Sequence, residues 1–139
     1  MLPIEINFLA VVVSAVVAFG TGALWYSPIL FGNAWIKAHG FSDAQVQQMQ
    51  SEATPMPYIG SALSYVVMAV VISIFISYSN ASTLMDGLWL GLLFWLGFAA
   101  PIGLTGNLFS EKKISVFMID TFHQLTYLLL ASVILTIWR

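Results

Sequence analysis

The sequence predicts an all-α integral membrane protein: four transmembrane helices in one bundle, with a short amphipathic interfacial helix between spans one and two. Three observations predict it. Only 7% of the 139 residues are charged, whereas a soluble domain carries about 25%. The mean hydropathy is +0.92, which suits membrane spans rather than a water-soluble core. The apolar residues also fall into four runs, at about 6–27, 58–78, 84–104 and 114–138. At about 1.5 Å per residue, each is long enough to cross a hydrocarbon layer of about 30 Å.

The same composition excludes several classes. A net charge of -2, with no basic cluster beyond Lys112-Lys113, does not suit nucleic acid. The absence of cysteine removes disulfides, thiolate metal sites and cysteine nucleophiles together. The N-terminus has Glu5 as its only early charge and lacks the basic start of a signal peptide, so the first run reads as a retained span.

Span one places Ala10, Ser14, Ala18 and Gly22 four apart on one face, a small-residue stripe that lets helices approach closely in lipid. The stretch from Gly20 to Trp35 closes the span. Pro28 denies a helical hydrogen bond and restricts Ser27, so it is expected to stop the helix. Trp25, Tyr26, Phe31 and Trp35 follow as interface aromatics, and Trp25, Tyr26, Trp35 and Trp138 are expected to anchor depth. Residues 33–39 suggest a short helical turn ended by Gly40 as C-cap. Ser42 and Gln45 form a capping-box pattern, with Phe41 and Val46 as its staple. The helix they open puts Val46, Met49 and Ala53 on one side, which predicts an amphipathic element at the membrane surface or the bundle's end. Pro55 and Pro57 end it.

Span two carries a row of Ser61, Tyr65, Ala69, Ser73 and Ser77, expected to face neighbouring helices. Asn80-Ala-Ser82 matches a glycosylation acceptor but lies too near the membrane to count. Thr83 and Asp86 read as an N-cap pair opening span three, which makes Asp86 a helix-terminus carboxylate. Gly87 and Gly91 add a second small-residue packing face. Pro101 is expected, like Pro28, to mark a helix end or kink, freeing a carbonyl near Gly97 that needs a partner in lipid. Gly103, Gly106 and Asn107 make the following segment polar enough to line a cavity. Pro28–Asn33 and Pro101–Asn107 align with one insertion, which suggests a tandem two-span repeat over 1–79 and 84–139.

Span four holds the costly polar groups. Asp120, His123, Gln124 and Tyr127 share one helix face, with Asn107 a candidate neighbour. Asp120 lies roughly 10 Å past the Lys112-Lys113 turn, and an Asp at mid-bilayer costs about 2.5–3.5 kcal/mol. The seam must therefore face the bundle or a wet cavity. It suits a buried hydrogen-bonded network from Asp120 to His123, a proton relay or substrate site, or a metal pair of Asp-x-x-His type. The chain has too few other carboxylates for a di-metal centre, so no metal or cofactor is assigned.

Gly22-Ala-Leu-Trp-Tyr-Ser-Pro-Ile-Leu-Phe-Gly32 with Trp35, Gly97-Phe98 before Pro101, and the fourth span ending in Trp138 resemble a bacterial membrane-protein family catalogued as domain of unknown function 1761. The resemblance covers nearly the whole chain. It implies a four-span membrane protein and supplies no activity and no site residues. An aromatic is common near the position of His123 in such members, which makes the Asp120–His123 pair a feature of this chain.

Three functions are compatible with this reading. The favoured one is a non-enzymatic bundle in the bilayer that self-associates, or docks on a partner membrane protein, through its small-residue faces. A small proton-coupled transporter using Asp120 and His123 is the alternative, and a quinone- or metal-binding redox protein the third. Lys37, Lys112 and Lys113 on one side against Arg139 on the other place loops 28–57 and 105–113 in the cytoplasm of a bacterial cell and both termini outside its cytoplasmic membrane.

Overall fold

The computed structural model describes residues 4–139. Four helices are long and apolar enough to cross a membrane: α1 (Phe8–Trp25), α4 (Met56–Ser79), α5 (Leu84–Phe109) and α6 (Ile114–Ile137). Two short helices, α2 (Gly32–His39) and α3 (Asp43–Ser51), lie between α1 and α4. The described residues contain no strand.

Most helix ends have local causes. The Asn7 side chain accepts from the amides of Leu9 and Ala10, both at 3.1 Å, and so starts α1. After Trp25 the chain turns through Pro28, closed by the Phe31 amide on the Trp25 carbonyl at 2.9 Å. Gly40 ends α2 in the left-handed region, at φ +73°, where a side chain would be strained. Both expected capping boxes form. Ser42 and Gln45 exchange hydrogen bonds at 3.2 and 2.8 Å, and Thr83 and Asp86 do so at 3.2 and 2.9 Å.

Pro101 requires a correction. It was expected to end or kink the third span near residue 104, yet α5 runs through it to Phe109. The reason is a π-helical segment, Trp95–Ala99, immediately before the proline, in which the Ala100 amide reaches back five residues to the Trp95 carbonyl. The widened turn directly precedes the proline, whose ring would otherwise crowd the carbonyl four residues back, and the helix continues past it. Pro28 and Pro101 therefore sit in different local structures, a turn and a helix interior.

α6 packs along α1, α4 and α5 and is the centre of the bundle. Its contact with α5 brings the two backbones close together. A Cβ on Gly91 would stand 2.8 Å from the Leu128 carbonyl oxygen, and one on Gly87 would stand 2.9 Å from the Val133 Cα. Across the bundle α1 packs on α4 and α6 through Ala10, Ser14 and Ala18, which are 0, 0 and 1% exposed. The stripe is thus occupied inside the chain. The core cluster also holds Val11, Ala69, Ile72, Ile76, Ala81, Leu128, Ala131 and Leu135. Large apolar side chains elsewhere point outward, among them Phe8 and Ile102 at 71 and 70% exposure, as they do when lipid is the solvent. α4 and α5 touch through the edge-on pair Phe75 and Phe94 and leave an apolar groove between them.

Candidate functional site

The polar seam of α6 lies where the chain from α1 to α2 folds back over it. Asp120 Oδ1 accepts from the Tyr26 hydroxyl at 2.7 Å and from the Trp35 indole N–H at 3.2 Å. Both donors come from the Gly20–Trp35 stretch, whose turn brings α2 against α6. Gly32 permits that turn, since a side chain there would run into the carbonyls of Tyr26 and Ser27.

Two further tryptophans fix α6 on either side of Asp120. Trp25 donates its indole N–H to the Ile119 carbonyl at 3.1 Å. Trp95, at the start of the π segment, donates to the Thr121 carbonyl at 2.9 Å and to its hydroxyl at 3.0 Å. A buried indole needs an acceptor, and here each one also sets the rotation of the central helix.

His123 is 6% exposed. Its ring lies among Tyr26 and Tyr127, both with centroids at 5.1 Å, and Trp25 at 5.9 Å. Its Nε2 has no hydrogen-bond partner. A Cβ on Gly22 would lie 3.3 Å from that nitrogen, so the glycine makes room for the imidazole. The expected Asp120–His123 hydrogen bond is not formed, because the carboxylate takes its donors from Tyr26 and Trp35. Gln124 Oε1 is likewise buried without a partner. Asn107 does not join the network; its amide donates to the Lys113 carbonyl at 3.4 Å while its Oδ1 is unpartnered.

These groups border a cleft of about 920 Å³, at the upper end of the range of about 300–1,000 Å³ usual for small-molecule sites. Asp120, His123, Gln124 and Tyr127 form its α6 wall. Tyr26 and Trp35 form a second, and Tyr58 and Tyr65 of α4 a third. Val46, Met49 and Ala53, the apolar side of α3, edge it as well. The lining holds one carboxylate and one imidazole, and no lysine or arginine. A smaller cavity of about 290 Å³ reaches Asp120 and Gln124 from the Asn107, Ser110 and Lys112 side. No three His, Asp or Glu side chains converge among the described residues in a set that could hold a metal ion.

Behind Trp35 stands His39, wedged between the rings of Trp35 (4.1 Å) and Phe41 (4.8 Å, stacked). Burial lowers its pKa below the usual imidazole value and the charge of Lys112 adds to this, against a smaller pull from Asp120.

The site was therefore half visible in sequence. The spacing of the α6 seam reads directly from sequence, whereas Tyr26, Trp25 and Trp35 read as interface anchors and Tyr65 as part of a packing row. Trp25 and Trp35 turn their polar edges inward to α6. The signal that could have found them is the pairing rule itself: a carboxylate at membrane depth needs donors, and the aromatics of 25–35 carry them.

No curated protein matches the chain, and no solved structure does. A family model described as protein of unknown function, DUF1761, matches residues 9–136, and the chain belongs to that family.

Proposed function

We propose that this membrane protein binds a small organic cation in the cleft at Asp120. The observation that carries the reading is the cleft lining: one carboxylate among Tyr26, Trp35, Tyr58, Tyr65 and Tyr127, with no lysine or arginine on that side, Lys112 bordering the smaller cavity beyond Asp120. Aromatic faces attract an organic cation by about 0.5–2 kcal/mol, more when water is excluded. The carboxylate supplies the charge-assisted hydrogen bond. A carboxylate set among aromatic rings in a cleft is the binding step that a small cation carrier needs. The self-association reading has lost the stripe on which it was built, since Ala10, Ser14 and Ala18 are covered within the chain.

The test is binding of benzylammonium to the protein in lipid nanodiscs, read by tryptophan fluorescence. Asp120→Asn is expected to weaken binding at least tenfold, with Glu52→Gln unchanged. Equal binding by Asp120→Asn would sink the cation reading and favour a neutral ligand such as a quinone.

A further inference from the structure

The groove between α4 and α5 borders the cleft, the two sharing Gln124 and Tyr127 in their walls. It holds about 620 Å³ and is walled by apolar side chains such as Val71, Phe98 and Ile102. At its inner end are Gln124 and Tyr127, which also line the cleft at Asp120. Gln124 borders the smaller polar cavity too, so three cavities meet at this one side chain. Its Oε1 is buried with no donor. Lipid chains that fill the groove cannot supply one, and an acceptor left unpaired in a membrane interior is unfavourable. The occupant that satisfies the junction has an apolar arm and a hydrogen-bond donor beside its charge. Asp120 and Gln124 stand one turn apart on the same face of α6, placed to take two donors from one head group.

We propose that the ligand is a protonated lipophilic amine. Its N–H groups reach Asp120 and Gln124, and its alkyl arm lies in the groove, entered sideways from the bilayer. This rests on the cation reading above and narrows it: a quaternary ammonium has the charge but no N–H to give. An arm tethered to a head group already held at Asp120 fills the groove as an intramolecular event, so lengthening it raises affinity beyond simple partition into lipid.

The experiment uses the full chain in nanodiscs with butylammonium, dodecylammonium and dodecyltrimethylammonium. Ala99→Phe fills the groove from its α5 wall, at a residue that does not line the cleft at Asp120. Native and variant see the same bilayer, so partition cancels in their affinity ratio. That ratio is expected to be near one for butylammonium and tenfold or more for dodecylammonium. Gln124→Leu is expected to erase the native preference for the primary amine over its trimethyl analogue. A ratio that does not change with chain length, or equal native binding of the two dodecyl compounds, overturns the proposal while leaving the cation site standing. If native protein binds none of the amines, both readings fall. Val71→Phe, in the α4 wall of the groove, replaces Ala99→Phe if that variant does not fold.

Discussion

Gly22 and His123 show how one missing side chain positions another. The imidazole edge occupies the space a Cβ would take, with Nε2 3.3 Å from it, and the ring is held by three aromatics. Gly22→Leu is expected to push His123 out of that box and destabilise the fold by about 1–3 kcal/mol, the usual cost of overpacking. Thermal unfolding in mild detergent reads the loss, and an unchanged midpoint would mean that the ring moves without penalty. The residue scale is also where sequence reading was weakest. The spacing of Asp120, His123, Gln124 and Tyr127 revealed a shared face, but nothing local says that Asp120 prefers Tyr26, 94 positions away, to His123 three positions on. Hydrogen-bond partners across a bundle depend on helix rotation, and here the indoles of Trp25 and Trp95 set that rotation.

Among the elements, α5 and α6 make the most demanding pair. Gly91 lies against the α6 backbone, whereas Gly20 of α1 has nothing within 4 Å of its Cβ direction. Gly91→Ala is expected to drive the two helices apart and lower stability by about 1–3 kcal/mol. Gly20→Ala is expected to leave stability unchanged or raise it slightly, because alanine favours a helix interior. Matched denaturation of the two variants checks the contrast. α2 adds a pH dependence. His39 has a lowered pKa in the folded state, so its contribution to stability is complete above about 6.5 and is lost as pH falls from there toward the folded value. Native protein is expected to lose stability between pH 7.5 and 5, with a change in Trp35 emission. His39→Gln removes this part of the slope, and an identical acid response in that variant would exonerate His39. Capping boxes, the Gly40 stop and the four apolar runs were all legible because each is set by neighbours in sequence. The π segment was not, since nothing in Trp95–Ala99 says that the turn will widen instead of letting Pro101 break the helix.

At the scale of the molecule, four spanning helices bring the Asn107–Lys113 turn and the α1–α4 connection to one end of the bundle. Arg139, whose guanidinium donates to the Ile76 carbonyl at 3.0 Å, lies at the other, beside the end of α4. We infer from the lysine excess that the cleft end faces the cytoplasm. In this cysteine-free chain, Asn80→Cys is expected to react with an impermeant thiol reagent from outside the cell, and Ser51→Cys and Ser110→Cys only after lysis. The reverse pattern would invert the orientation. The central position of α6 has a consequence for biogenesis. The helix that α1, α4 and α5 all pack against follows the other three in the chain, so a ribosome delivers it after they have entered the bilayer. Until it arrives, Gly87 and Gly91 have no partner backbone, the indoles of Trp25 and Trp95 have no acceptor from α6, and there is no carboxylate to receive Tyr26 and Trp35. The insertion of α6 assembles bundle and cleft together; before it, the earlier spans are held by α1 on α4 and by the Phe75–Phe94 contact of α4 with α5.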